Sequence, residues 1–296
     1  MAIPLWSAGM KANPVRSRSV LITGCSSGIG RAAARLLREK GWTVWPTARK
    51  PGDLEDLRRE GFDPLSLDMA DSASVQQAAA AALQRGEGRV GALVNNAGFG
   101  QPGAIEDLSR DVMRAQFEVN VLGLQELTNL LIPAFRKQGY GRIVNISSVL
   151  GKISIPFMGM YAASKHALEA MSDSLRVELW NSGVAVSIIE PGPIETAFRK
   201  NAFERGRDTL DLARTSFATE YESQARQKVA RGFKSADPFT AGPEAVARVI
   251  QHALESRHPR ARYPVTLTAR VGIRIGRWLP AWLTDRLLSL RLSSRR

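Results

Sequence analysis

Residues 19–30 read "SVLITGCSSGIG". A short apolar, β-branched run, Ser19 to Thr23, stops at a turn rich in glycine and serine. "RAAARLLREKG" (31–41) then carries helical spacing and ends on Gly41. A strand that turns through glycines straight into a helix leaves the first helical N–H groups unpaired at the turn. The positive end of the helix dipole lies there too, so the turn can receive a phosphate. Taken alone, such a turn also merely connects two elements, and its spacing is T-G-x-x-x-G-x-G rather than G-x-G-x-x-G. The rest of the chain has to decide.

The pattern repeats along the chain. "WTVWPTA" (42–48), "FDPLSLD" (62–68), "GALVNNAG" (91–98), "GRIVNISS" (141–148) and "VAVSIIEPG" (184–192) read as strands, and "RYPVTL" (262–267) as a last one. Helical stretches alternate with them: 51–61, 72–85, a pattern through about 138, a helix after Tyr161, and 242–254. Strands that are apolar throughout, alternating with helices, predict a parallel sheet covered on both faces. The expected fold is α/β: a single-domain Rossmann fold, a doubly wound parallel sheet of about seven strands. An N-terminal arm covers 1–18, the Rossmann domain 19–267, and a basic amphipathic helical extension 268–296. The roughly fifty polar, charge-rich residues within about 193–241 are long for a connection and are expected to form a lid over the site. Pro46 breaks a local rule, because inside a strand it removes a ladder donor; a strand end or distortion is expected there.

Composition bounds the function. The chain has 296 residues with 44% hydrophobic content, enough for a sizeable core. One cysteine, Cys25, forms no intramolecular disulfide and suits a reducing compartment. The three histidines do not form a metal-ligand spacing, so no metal is expected. The N-terminus lacks a secretory h-region, and no run reaches the ~18 apolar residues of a membrane span. The net charge of +13 is concentrated at the ends: from His258 onward there are nine arginines against one aspartate. That distribution argues against a nucleic-acid surface.

Polar features gather where the predicted strands end. Asp68 ends the third, Asn95 to Gly98 the fourth, Ser148 the fifth, and Pro191-Gly192 the sixth. In open α/β sheets that edge is where ligands bind. With "TGCSSGIG" (23–30), "NNAG" (95–98) and "YAASK" (161–165) in this order, the chain resembles a short-chain dehydrogenase/reductase from about residue 19 to 200. It is most similar to the 17β-hydroxysteroid-dehydrogenase-like branch, and within it to bacterial NADP-dependent aldehyde reductases.

The resemblance implies an NADP(H) site formed by Thr23, Gly24, Ser26, Ser27, Gly28, Ile29, Gly30, Arg49, Lys50, Asp68, Met69, Asn96, Ala97, Gly98, Tyr161, Lys165, Pro191, Gly192 and Thr196. NADP is preferred over NAD because the end of the second strand reads Ala48-Arg49-Lys50. No acid stands there to accept from a ribose 2′-hydroxyl, and an arginine suits a 2′-phosphate. The resemblance also implies the catalytic set Asn120, Ser148, Tyr161 and Lys165. Ser148 lies thirteen residues before Tyr161, and Lys165 one helical turn after it. Hydride passes between nicotinamide and a carbonyl carbon, Tyr161 acts as general acid/base, and Ser148 holds the oxygen. Lys165 is expected to lower the pKa of Tyr161 from about 10 and to hold the ribose. Asn120 is expected to order a water linking Lys165 to solvent.

Ile153, Ile155, Phe157, Met158 and Met160 suit an apolar carbonyl or alcohol: an aldehyde, ketone, retinoid or steroid. The family implies a homodimer or homotetramer through helices around 105–138 and 161–181. In the extension, Arg270, Arg274 and Arg277 share one face and Val271, Ile275 and Trp278 another, with Leu283, Leu287 and Leu290 following at helical spacing. This suits a membrane surface, or equally a helix pair packed over the substrate site or another subunit. The expected location is cytoplasmic, with peripheral attachment at the inner membrane surface as the extension's alternative. The competing functional class is a non-catalytic NADP-binding sensor or scaffold of the same fold, and the retained tyrosine and lysine argue against it.

Overall fold

The structure, a computed structural model, describes residues 12–235 and 237–293. Residues 1–11 of the expected arm, Ala236 in the expected lid and residues 294–296 of the extension lie outside the described residues. So do the side chains of Arg277 and of every residue from Leu290 on.

Strand β1 (Ser19–Ile22) is buried along its whole length and alternates cleanly. Val20 and Ile22 face one core, and Leu21 the other. The chain then alternates as α1 (Gly28–Glu39), β2 (Thr43–Ala48), α2 (Pro51–Arg59), β3 (Leu65–Ser66), α3 (Ser72–Arg85) and β4 (Ala92–Asn95). It continues through α4 (Arg110–Phe117), α5 (Gly123–Gln138), β5 (Gly141–Ile146), α6 (Gly159–Glu178) and β6 (Val184–Glu190). The seven strands form one parallel sheet in the order β3-β2-β1-β4-β5-β6, closed by β7 (Arg262–Pro264). From β1 the chain winds outward to β3, then jumps back to β4 and winds the other way. The C-terminal ends of β1 and β4 therefore flank the switch point, where a Rossmann-like sheet opens a crevice.

Two apolar layers cover the sheet. Ala33, Ala34 and Leu37 of α1 and Leu54 and Leu57 of α2 fill one side. They are joined by Val246, Ile250 and Leu254 of α9 (Pro243–Glu255). Val75 and Ala78 of α3, Leu124, Leu127 and Leu131 of α5, and Leu168 and Leu175 of α6 fill the other. The small residues of α1 allow the close helix-to-sheet approach that the glycine turn requires.

Pro46 does not distort or end its strand. It sits inside β2 in register with Ile22. Thr43 N donates to Arg18 O at 2.8 Å, so the nitrogen of Pro46, three residues on, faces the β3 side. Pairing with β3 begins only at Thr47 and Leu65, so no partner calls for the missing N–H. The last strand is shorter than expected. Thr266 caps the next helix by accepting from Ala269 N at 3.1 Å, and α10 (Leu267–Trp278) starts where 262–267 was read as strand.

The connection after β6 is structured. It holds α7 (Phe198–Thr209) and α8 (Ala218–Ala230), and its neck is pinned by an Ile194–Ala241 bridge. α10 lays its small-residue face on the body: a Cβ at Gly276 would come 2.5 Å from Ile153 Cγ2. Leu267, Val271, Ile275 and Trp278 remain exposed, as do Trp282 and Leu287 of α11 (Ala281–Ser293). Among the described residues no helix is long and apolar enough to cross a membrane.

Candidate active site

The turn after β1 and the turn after β4 are built as one piece. Thr23 Oγ1 accepts from Asn96 N at 2.9 Å and Ala97 N at 2.8 Å. Asn96 Nδ2 answers with bonds to Thr23 O and Gly24 O, both at 2.9 Å. Gly24 has φ +71°, and a Cβ there would lie 2.8 Å from Ala97 Cα. α1 opens beyond this turn with no acidic residue in its first turn, so its N-terminal amides face the crevice without a competing negative charge. Cys25 lies beneath it; burial pushes its thiol up to about 12, which makes it a packing residue.

A cavity of about 670 Å³ runs along this edge. Its wall includes Gly24, Ser26, Ser27, Gly28 and Ile29, Asn96, Ala97 and Gly98, Ser148, Tyr161 and Lys165, and Pro191, Gly192 and Thr196. Fourteen residues expected from sequence thus meet on one surface. Thr23 and Gly30 stand behind the wall as ties and spacers, and Met69 packs in the core beneath. Arg49, Lys50 and Asp68 form an outer rim at the ends of β2 and β3, where Arg49 Nη1 and Asp68 Oδ2 are 3.8 Å apart, a loose and exposed pair.

Ser148 lies two residues beyond β5 and caps the short turn that follows by accepting from Leu150 N at 3.1 Å. Tyr161 and Lys165 share one face of α6, as their spacing requires, and both are buried. Lys165 Nζ donates to Ile146 O at 2.8 Å and stands 5.8 Å from the Tyr161 ring centre. Burial pushes the Lys165 ammonium down to about 8, against the pull of the Glu169 charge. The expected lowering of Tyr161 is not found. Burial pushes its phenol up to about 12, and a hydrogen bond with Ser148 offsets only part of that. The neighbouring Lys165 ammonium is itself turned to the Ile146 carbonyl.

Asn120 lies in a π-helical turn, Glu118–Leu122, between α4 and α5; such turns recur at functional sites. Its amide is engaged on both sides. Oδ1 accepts from Phe99 N at 3.1 Å, and Nδ2 donates to Phe99 O at 3.0 Å and Ser164 Oγ at 3.1 Å. The side chain therefore holds the Gly98–Phe99 turn against α6.

The segment 193–241 roofs the site. Phe198 packs on Tyr161 with ring centres 5.4 Å apart. Tyr221 donates to Asp107 Oδ2 at 2.5 Å and accepts from Ala104 N at 2.6 Å. Phe157, held at φ +63°, packs against both Phe217 and Tyr221 at 5.4 Å. Phe198, Arg199, Gln224 and Lys228 also line the cavity. The sequence points to this segment as a lid with substrate contacts after Thr196 but not to these four residues, because two helices in a polar insertion leave no motif that points inward.

A glycine cradle at the switch point, an acid-free cavity and a Ser-Tyr-Lys wall fit a nicotinamide dinucleotide and define a dehydrogenase or reductase. The chain belongs to the short chain dehydrogenase family, which residues 18–206 match. It is 42% identical over 274 residues to the uncharacterized oxidoreductase YbbO of Escherichia coli, covering 93% of this chain and 95% of that one. It is 37% identical to human 17-beta-hydroxysteroid dehydrogenase type 1, covering 83% and 77%. A short chain dehydrogenase/reductase from Burkholderia phymatum, solved in complex with NAD, superposes with a TM-score of 0.73 at 27% identity, covering 89% and 94%. The chain is accordingly an oxidoreductase of CH–OH and C=O groups that uses a nicotinamide cofactor.

Proposed function

We propose that this protein is an NADP(H)-dependent reductase of apolar carbonyl compounds, with Tyr161 as the proton donor. The observation that carries the reading is the single cavity in which Ser148, Tyr161 and Lys165 stand on the same wall as the Gly24–Gly28 turn. When bound, the reduced nicotinamide supplies a hydride to the carbonyl carbon. Ser148 and Tyr161 line the same cavity, so a carbonyl oxygen that reaches both meets two O–H groups. As charge develops on that oxygen, Tyr161 Oη releases its proton to it and Ser148 fixes its position. Lys165, held by Ile146 O, offsets the charge left on the phenolate. Asn120 fixes the Gly98 turn beside Lys165. Gly24, Ser26, Ser27, Gly28 and Ile29 hold the pyrophosphate.

The 2′-phosphate falls to Arg49, with Lys50 and Ser26 nearby. Arg49's loose pairing with Asp68 leaves its guanidinium open to a stronger anion. Ile155, Phe157, Met158 and Phe198 make the substrate end apolar. Self-association through the helices around 105–138 and 161–181 is supported by exposed Leu122, Leu130, Val177 and Trp180. Peripheral attachment to an anionic membrane is supported by the exposed stripe of α10 with Arg270 and Arg274 beside it. Sedimentation with anionic vesicles, with and without residues 268–296, tests the attachment. The catalytic reading is tested by following NADPH and NADH oxidation with aldehydes, ketones and steroids. A kcat/KM that favours NADH, or no turnover with any carbonyl, overturns it.

A further inference from the structure

The cavity wall contains no aspartate or glutamate, yet it carries three cations: Lys165, Arg199 and Lys228. Lys165 is accounted for by its place beside Tyr161. The other two are not. Three other basic residues of α7 and α8 find carboxylates: Lys200 with Glu204 at 3.8 Å, Arg207 with Asp208 at 3.3 Å, Arg226 with Glu222 at 3.0 Å. Arg205 is stacked over the Phe99 ring at 3.7 Å instead and does not line the cavity. Among the described residues no acid forms an ion pair with Arg199 or Lys228. The Lys228 ammonium stands 6.0 Å over the Phe203 ring. Burial first, and the Arg199 charge second, push it below the ordinary lysine range. Two like charges on residues that line one half-buried space are costly unless an anion joins them.

Their position assigns them to the substrate end. Arg199 follows Phe198, which packs on Tyr161. Lys228 and Gln224 lie on the face of α8 that carries Tyr221, and Tyr221 packs on Phe157 of the substrate wall. The same segment also meets the phosphate turn, at Thr196, three residues before Arg199: a Cβ on Gly28 would lie 3.1 Å from Thr196 Cγ2. Ile155, Pro156, Phe157 and Met158 line the same cavity.

We infer that Arg199 and Lys228 form an anion-binding subsite, and that the substrate is an apolar carbonyl compound carrying a carboxylate at its far end. This deepens the reductase reading and rests on it. Arg199 supplies a forked set of donors and Lys228 a point charge, with Gln224 between apolar wall and anion. The test uses the full chain with NADPH and three probes: 12-oxododecanoate, its methyl ester, and dodecanal. The wild type prefers the acid to the ester by about tenfold or more in kcat/KM, the scale of a charge-assisted contact. In Arg199→Gln and Lys228→Gln that acid-to-ester ratio, measured within each variant, falls toward one. Equal use of acid and ester by the wild type overturns the inference, as does a ratio unmoved in both variants. NADPH affinity, titrated in parallel, separates the two sources of anion. A loss of NADPH binding with the ratio unmoved gives the cations to the cofactor phosphates and overturns the inference. Should none of the three probes turn over, the reductase reading fails, and calorimetry with dodecanoate against dodecanol still decides the subsite. Dodecanoate binding that Lys228→Gln abolishes upholds it; equal binding of acid and alcohol ends it.

Discussion

Replacing Gly30 by alanine tests whether the glycine turn and the Asn96 turn form one rigid cradle. A Cβ at Gly30 would fall 2.4 Å from Gly24 O and 2.6 Å from Asn96 Nδ2, whereas ordinary contact begins at 3.4 Å. Neither neighbour can yield cheaply. Gly24 O is backbone at φ +71°, and Asn96 Nδ2 is pinned by two bonds of 2.9 Å. α1 must retreat by about 1 Å. Overpacking of this kind costs about 1–3 kcal/mol, and the better helix propensity of alanine returns at most about 1. A net loss of about 1–2 kcal/mol lowers the melting temperature by about 2–8 °C in a domain of this size. The same retreat pulls the helix N-terminus from the pyrophosphate, so NADPH affinity falls on the order of tenfold to a hundredfold. Thermal unfolding and NADPH fluorescence titration read the two effects. Gly52→Ala is the control, because nothing lies within 4 Å of its added Cβ inside α2. That variant gains about 0.4–1 kcal/mol and binds NADPH normally. A Gly30→Ala variant as stable as Gly52→Ala, or one that loses stability but keeps NADPH affinity, refutes the reasoning.

Three further outcomes follow from the same geometry. Burial, with the Glu169 charge behind it, raises the Glu190 carboxyl from 4.5 to about 7, against the opposing pull of Arg262. The folded state then holds this proton more tightly than the unfolded chain. Stability is therefore lost as pH rises from about 4.5 to 7, by on the order of 1–3 kcal/mol. Urea midpoints compared at pH 5 and 8 show that loss in the wild type and a smaller one in Glu190→Gln; equal losses contradict the assignment. Tyr221→Phe removes the hydroxyl that bridges Asp107 and Ala104, so proteolysis within 193–241 speeds up and KM for the carbonyl rises, whereas an unchanged cleavage rate argues against a latch. Arg49→Ala weakens NADPH by about tenfold or more while NADH is little affected, and equal weakening of both removes the 2′-phosphate role.

Much of this architecture is legible in sequence because its signals are local. Val20, Leu21 and Ile22 announce a strand buried on both faces, and Gly24, Gly28 and Gly30 mark where a side chain would collide. Helical spacing puts Tyr161 and Lys165 on one face, and the family resemblance supplies their role. Pro46 misled because its cost depends on which neighbour its nitrogen faces, and that is a property of the sheet. The end of β7 misled because Thr266 reads equally well as a β-branched strand residue and as a helix cap. The Tyr161 phenol misled in sign: residue types foretell a nearby ammonium, but the burial that raises the phenol is a property of the fold, to which Phe198 packing on the ring contributes. Arg199 and Lys228 were invisible for the same reason. They converge with Ser148 through an insertion whose own sequence shows only charge.

The central claim is that Tyr161 delivers the proton while the cofactor cradle is built independently of it. Single-turnover reduction of dodecanal by Tyr161→Phe, with NADPH affinity titrated on the same preparation, tests this most directly. The account predicts NADPH binding within about threefold of wild type and a chemical step slower by on the order of 10² to 10⁴. A chemical step at near-normal rate in that variant would contradict it.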